Sequence, residues 1–460
     1  MRNKNREGIR EKSRDGMKRY LPHVLVTGTY LLLSMQLFSL VSRYAVNMLF
    51  WDQWDFDDAT LFQHHSTWEM FRWQHGPHRQ GLGALSQKLL EPCIHWNSRY
   101  EAFGMAAIIV SAALLALLLK VRLYGSIRYS DVLIPSLFLT PRQWETAVLT
   151  GNPTQASLPL LLILYCLCWL IPVYYWKYAC VLLVNFLLIY NGYGVFVGLL
   201  TPAFLALDFY RNTQHLASRY RWGSAVALTI AIASLASFFV GYKFQSGLDC
   251  FSLAPGNPVL YLWFAALMFG SVAGLAIFSL KLATLIGSVP LLLLLVCLWI
   301  VVKRLLVVRG EDTWSRDAVI AALLAYCAIF CLNAAYGRLC LGLAYAATSR
   351  YTPYVVLGFF GLYLYTLTNH ARNVRVYLLP VLLLFAVLST RPLNRSDAWL
   401  VGEMSDGRRA WRDCYLARHD IRECDTLTRF QVYPHPEATH LQEKLDFLER
   451  NHLNLYADSR

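Results

Sequence analysis

Carboxylates and histidines crowd into one stretch of the chain, Phe50–Gly81, read FWDQWDFDDATLFQHHSTWEMFRWQHGPHRQG. Asp52, Asp55, Asp57 and Asp58 sit among Trp51, Trp54 and Phe56, and His64, His65, His75, His78 and Arg79 follow. Such groups move protons. A carboxylate can take the proton of an attacking hydroxyl, or steady the positive charge that develops at an anomeric carbon. Asp52 and Asp55 are three residues apart, so a helix would set both near one face. The flanking tryptophans can stack on sugar faces. Asp52 and Asp55 are therefore the candidate catalytic residues. A plainer reading makes Asp55, Asp57 or Asp58 the cap of a helix starting near Ala59, and it suits Asp57 and Asp58 better. His75, His78 and Arg79 are candidate substrate-binding residues. Imidazoles shuttle protons or hydrogen-bond phosphate, and a guanidinium grips phosphate or orients a carboxylate. Together with the aspartates the histidines could hold a divalent metal. Gly76 and Pro77 break the helix that would align them, so a metal is disfavoured and no ligand set is assigned.

Three further groups fall on the same face of the expected membrane topology. Arg338, Arg350 and Tyr351 lie in NAAYGRLCLGLAYAATSRYTPY, flanked by apolar spans. An arginine near the bilayer needs a cavity or a partner, and a lipid phosphate at headgroup depth would supply one. Snorkelling at a helix end is the plain alternative. Glu145, after Trp144, is either a second carboxylate facing the cavity or an ordinary interfacial charge. Cys414 and Cys424 stand in a polar tail, and in an oxidising compartment a disulfide between them is expected.

The elements that must position these groups are apolar helices. Of 460 residues, 56% are hydrophobic and 15% charged, where a soluble domain carries about a quarter charged. Runs such as Leu158–Ile171 and Leu291–Val302 reach, with their flanks, the roughly 20 residues needed to cross a bilayer. The fold expected is an all-α polytopic membrane protein. A basic cytoplasmic tail, disordered or interfacial, occupies 1–20. A bundle of about 11 spans fills 21–390, with a first outer loop at 50–100. A small extracytoplasmic domain at 391–460 ends in an amphipathic helix, Leu441–Tyr456. A third span is expected to rise from Val132, interrupted by Pro135 and Pro141, with an outer turn at Thr140–Ala156. The window Leu260–Leu280 is expected to be re-entrant or interfacial. If it crossed, the basic Lys303–Arg309 would face outward. The net charge of +13 does not indicate nucleic acid, because Lys and Arg cluster in short segments between spans, the positive-inside pattern.

At these residues the chain resembles the GT-C-type integral membrane glycosyltransferases, which include the protein O-mannosyltransferases and the lipid A aminoarabinose transferases. It is more closely similar to a bacterial group with a WDxWDF-like motif after the first span, then HxxHR, a late Gly-Arg and a Ser-Arg-Tyr. Here these are Trp51–Phe56, His75–Arg79, Gly337-Arg338 and Ser349-Arg350-Tyr351. The resemblance spans nearly the whole chain. It implies a hexosyl- or pentosyltransferase of inverting mechanism in a bacterial inner membrane, with the N-terminus cytoplasmic and the C-terminus periplasmic. The implied donor is a polyprenyl-phosphate sugar, and the acceptor a glycan, lipid or protein. Asp52 or Asp55 becomes the base, and Arg338 and Arg350 become ligands of the donor phosphate. The acidic pair of GT-C enzymes is usually adjacent, whereas Gln53 and Trp54 separate these two, which leaves the base open between them. Two rivals predict different features. A lipid-linked-sugar flippase or transporter needs ionisable groups deep in several spans. A non-catalytic scaffold of glycan assembly would bind donor without consuming it.

Overall fold

The computed structural model describes residues 2–57, 66–149, 152–215, 218–246, 248–252, 257–307, 310–368, 371–437 and 439–457. Asp58, His64 and His65 lie outside the described residues, and so does the helix start near Ala59. The protein is 81% helical, and its only described strands are two residues each, so the all-α class is observed. In chain order the helices are α1 Arg2–Tyr44, α2 Asp52–Asp57, α3 Thr67–Phe71, α4 Gly81–Ile94, α5 Ser98–Tyr124, α6 Leu133–Phe138, α7 Thr154–Cys168, α8 Tyr174–Ile189, α9 Val195–His215 and α10 Ser218–Phe239. They continue with α11 Pro258–Val272, α12 Leu280–Val307, α13 Glu311–Arg338, α14 Thr352–Thr366, α15 Arg372–Ser389, α16 Arg395–Arg418, α17 Ile421–Thr428 and α18 Leu441–Arg450. The hairpin strands are β1 Gln74–His75 and β2 His78–Arg79.

Among the described residues, six stretches are long and apolar enough to cross a membrane: Tyr20–Tyr44, Ser98–Tyr124, Gly192–Arg211, Arg221–Phe239, Leu280–Val307 and Glu311–Leu341. Four shorter apolar helices accompany them: Thr154–Cys168, Tyr174–Ile189, Pro258–Val272 and Val374–Ser389. α14 is buried at every position. A helix apolar all round belongs inside a bundle, and α14 is this bundle's inner member, packed against α13.

Each end of the bundle has its own polar chemistry. At one end gather the Asp52–Arg79 loop, the Glu145 region, the Arg338–Tyr351 region and α16–α18. At the other, cations meet anions: Lys120 with Asp131, both fully buried, Arg304 with the buried Asp317, and the buried Lys177 and Arg211 with the half-exposed Glu311. Charges removed from water persist when paired. α11 runs back along α12 through small residues: a Cβ on Gly287 would lie 2.0 Å from the Ala266 carbonyl oxygen, and one on Gly270 2.1 Å from that of Ala283. The chain on both sides of α11 stays at the candidate-site end. Before it, Cys250 is joined to Cys340 and Phe251 packs on Tyr336. After it, Gly274 lies against Arg142.

Three expectations need correction. The N-terminal stretch is not separate from the first span: α1 begins at Arg2, as its good helix formers allow. The third span is interrupted before Pro141 but not at Pro135, which α6 contains, and the outer turn after it is buried. α6 has six residues, then Thr140 caps a 3-10 turn, Pro141–Gln143, and a π-helical turn follows, Glu145–Leu149. The stretch is buried almost throughout, and irregular backbone survives at membrane depth only under such cover. The final helix stops at Arg450, and Asn454–Tyr456 forms a 3-10 turn. The tail also shares its core with the first loop: Trp411, Tyr415, Leu445 and Leu448 pack with Met48, Leu49, Trp54 and Trp96.

The close α11–α12 approach gives a direct test. Gly287→Val should lower stability by about 1–3 kcal/mol, the usual range for overpacking, while Gly104→Ala, in open space on α5, should be neutral or slightly stabilising. Thermal melts of the two detergent-purified variants make the comparison.

Candidate functional site

The acidic turn is built from its buried members. Gln53 and Trp54 are both fully buried. The Gln53 side chain accepts from the Phe50 backbone N–H at 2.9 Å and donates to Glu101 at the start of α5. Gln87 of α4 donates to the same carboxylate at 3.2 Å, and the Trp54 indole N–H donates to the Leu49 carbonyl at 3.1 Å. With Gln53 and Trp54 inward, helical spacing leaves Asp52 and Asp55 on the cavity side. The two residues that interrupt the acidic pair are thus its anchor.

Gly76, at φ +55°, and Pro77 form the turn of a hairpin in which His75 and His78 are register partners. The histidines then part company. His75 Nε2 lies 3.1 Å from Asp55 Oδ2, and the ring stacks on Trp73. Burial works against charge on His75, but the hydrogen bond to Asp55 and the negative charges of Asp52 and Asp55 outweigh it. Its pKa is raised above the ordinary 6.5. His78 packs on Tyr193, ring centroids 4.2 Å apart, and burial with the Arg338 and His75 charges pushes its pKa down to about 3. The protonated form is thus favoured at His75, beside the carboxylates, and disfavoured at His78.

Asp52 accepts no hydrogen bond among the described residues. Burial raises its pKa, while the charges of His75, Arg350 and Arg338 pull the other way. Asp55 is held from both sides, by His75 and by the Tyr433 hydroxyl, which donates to Oδ1 at 2.8 Å. A carboxylate oxygen of each aspartate and a nitrogen of His75 lie within 4.8 Å of one another. That triangle could seat a divalent ion, but His75 and Asp55 already satisfy each other as a charged pair.

Arg350 and Glu145 face this group. The Arg350 backbone N–H donates to Glu145 Oε2 at 2.7 Å, and its guanidinium binds the Tyr345 hydroxyl. Burial raises the Glu145 pKa against the opposing charge of Arg350. Burial likewise opposes charge on Arg350, but Glu145 and Asp52 among others prevail, so its pKa moves up and it stays charged. Arg338 ends α13 and, with His78, Tyr193, Phe238 and Tyr336, lines a cavity of about 280 Å³. It has no ion-pair or hydrogen-bond partner among the described residues. Tyr351 is buried edge-on against Phe330, in the wall rather than the cavity.

Arg79 does not serve as expected. Its Nε donates to the Phe238 carbonyl at 2.9 Å, Nη2 to that of Val240 at 2.7 Å, and Nη1 to that of Arg72. The carbonyls at the end of α10 draw the cation, so the Arg79 guanidinium clamps the loop to α10. Cys414 and Cys424 are joined. The Cys250–Cys340 bond at the same end was missed, although both residues stand in loops on the face that carries the tail. Tyr433, Tyr345 and Tyr193 were also missed, because nothing in their local sequence sets them apart from packing aromatics.

No protein family, curated protein or solved structure matches the chain.

The Asp55–His75 pair predicts a pH-dependent contribution to stability. A histidine whose folded-state pKa is raised stabilises fully below its unfolded value, and that contribution is lost as pH rises through the folded pKa. His75→Asn should therefore cost about 1–2 kcal/mol near pH 5.5, as for a hydrogen bond to a charged group, and the gap should close on the alkaline side. Melting curves of both proteins across that range test it.

Proposed function

We propose that the protein is a membrane-embedded glycosyltransferase that moves a sugar from a polyprenyl-phosphate donor to an acceptor hydroxyl on a glycan, lipid or protein. The observation that carries this reading is that Asp52, half-buried and without a hydrogen bond among the described residues, feels the charges of two guanidiniums, Arg350 and Arg338, the second of which lines the adjoining cavity. Glycosyl transfer from a phosphate needs a base on one side of the anomeric carbon and cations for the leaving phosphate on the other.

In the proposed reaction Asp52 takes the proton of the acceptor hydroxyl. The acceptor oxygen bonds to the anomeric carbon as the carbon–oxygen bond to phosphate breaks, with inversion. The electron pair leaves on the phosphate, and Arg338 and Arg350 stabilise it. Burial makes Asp52 a stronger base than a solvated carboxylate. The donor's hydrocarbon tail has a suitable path. An apolar groove of about 730 Å³ runs between α11 and α12, lined by Leu262, Trp263, Leu285 and Leu292. At Leu280 it meets a smaller cavity that includes Arg142, Ser349 and Asp397, and Ser349 adjoins Arg350.

The remaining parts of the reading concern topology. The proposed GT-C-like architecture has eleven crossings, with α11 not crossing. The N-terminus is cytoplasmic and α16–α18 lie outside, in a bacterial inner membrane. Two features support this orientation. The disulfides Cys250–Cys340 and Cys414–Cys424 share the site's end, as an oxidising compartment favours. The basic segments around Lys120, Arg211, Lys303 and Arg375 share the other, as the positive-inside rule favours.

A turnover assay in nanodiscs with a panel of polyprenyl-phosphate sugars tests the proposal. Asp52→Asn should lower kcat about a hundredfold or more, and Arg338→Gln by a comparable factor, with the fold intact by melting. Tyr433→Phe, which removes the hydroxyl that donates to Asp55, should cost less. A wild-type protein that binds donor but consumes none, with binding unchanged by Asp52→Asn, would overturn the reading in favour of a flippase or scaffold.

A further inference from the structure

The opposite end of the bundle holds a second polar cavity, of about 650 Å³. It opens among the end of α5, the turn between α7 and α8, α9 and the start of α13. Four cations line it, Arg122, Lys177, Arg211 and Arg316, against two carboxylates, Glu311 and Asp312. The lining is therefore positive by two charges.

Part of that charge is already matched. Lys177 donates to Glu311 at 2.8 Å. Arg211, 9% exposed, bonds Asp208 at 2.7 Å and also Glu311, and its guanidinium lies over the Trp314 ring. Arg122 and Arg316 have no carboxylate partner among the described residues. Arg316 sits 5.0 Å over the Tyr124 ring and reaches only the Leu123 carbonyl, at 3.4 Å. The Nε atoms of both Arg211 and Arg316 are buried and have no hydrogen-bond partner among the described residues. A buried charged donor left unmade is costly. The cavity is thus rich in donors and short of acceptors, with planar guanidinium forks that suit tetrahedral oxyanions.

Its depth is marked by aromatic residues. Tyr175, Trp176, Tyr210, Trp222 and Trp299 are all largely exposed at this end, and such residues settle at the headgroup level of a bilayer. Basic pockets between helices at that level bind anionic headgroups.

We propose that this cavity is a binding site for an anionic phosphate group, distinct from the candidate active site at the other end. The phosphate belongs either to a lipid headgroup or to a water-soluble phosphate compound. Arg122 and Arg316 supply the unmatched charge, and the buried Nε–H groups find acceptors in its oxygens.

The test uses the full chain in a maltoside detergent, which carries no phosphate, and reads the melting midpoint. One arm titrates phosphatidylglycerol and the other inorganic pyrophosphate; the arm that raises the midpoint identifies the source. The R122Q/R316Q double variant should need roughly thirtyfold more of that ligand for the same rise, from two lost charges at the membrane surface. Arg128→Gln, an exposed charge at the same end outside the cavity, should change the requirement less than about twofold. Arg122 is exposed and unpaired among the described residues, so Arg122→Gln alone keeps the fold and carries the test should the double variant misfold. The proposal is overturned if neither ligand raises the wild-type midpoint, or if the cavity variants and Arg128→Gln weaken the response equally.

Discussion

The Gln53 side chain, donating to Glu101 in the fully buried floor of the loop, is the contact on which the site depends. It joins the acidic turn to the first turn of α5, the helix that carries the chain back across the bundle. Gln53 spends its oxygen on the Phe50 N–H and its nitrogen on Glu101, so the turn has little freedom to rotate. A one-residue slip would bury an aspartate and expose Trp54. The second anchor comes from the far end of the sequence. Lys444 of α18 donates to the Trp54 carbonyl, and the Trp51 N–H donates to that of Val432 at 2.9 Å. The tail is accordingly part of the site's wall, held by the same residues that hold the carboxylates.

Backbone that leaves helical geometry near a membrane must find its hydrogen bonds within the protein, and the stretch from α6 to the π-helical turn shows how. The Thr140 hydroxyl accepts from Arg142 N–H at 3.1 Å and donates to the Ser389 carbonyl at 2.7 Å. The Arg142 carbonyl accepts from the Ser349 hydroxyl at 2.8 Å, and its guanidinium binds Asp397 at 2.8 Å. These bonds tie three distant segments together just below the cavity. They also bring Glu145 to the Arg350 backbone, although the two are far apart in the chain.

Much of this was legible in the sequence and some could not be. The apolar runs gave the helical class, because their length and purity have no soluble use. Asp52, Asp55, His75, His78, Glu145, Arg338 and Arg350 could be singled out because charge is rare here, and they do gather at one end. Arg79 misled for a physical reason. An arginine beside a histidine motif has the same composition whether it faces a ligand or the end of a helix, and only the position of α10 decides. The Cys250–Cys340 bond needed two loops, 90 residues apart, to be placed on one face. The break in the third segment was legible in Pro141, but nothing in the composition says that the turn beyond it is buried. The tail's union with the first loop was invisible, since an amphipathic helix does not name the surface it covers.

The two aspartates that the spacing left equivalent are not equivalent in their surroundings. Asp55 has the His75 cation on one oxygen and the Tyr433 hydroxyl on the other. Both of its oxygens are therefore occupied. Asp52 has neither, and burial makes its charged form costly. Its oxygens are free to meet an acceptor hydroxyl, and burial favours its taking a proton. On the proposed function this separates the roles. Asp52 is the base, and Asp55 keeps His75 protonated, so that a positive charge stands beside Asp52 and keeps it ionised until the acceptor hydroxyl arrives. The arrangement resembles other paired carboxylates in which environment, not residue type, divides the work. It follows that Gln53 and Trp54, by spacing the pair apart, allow the division.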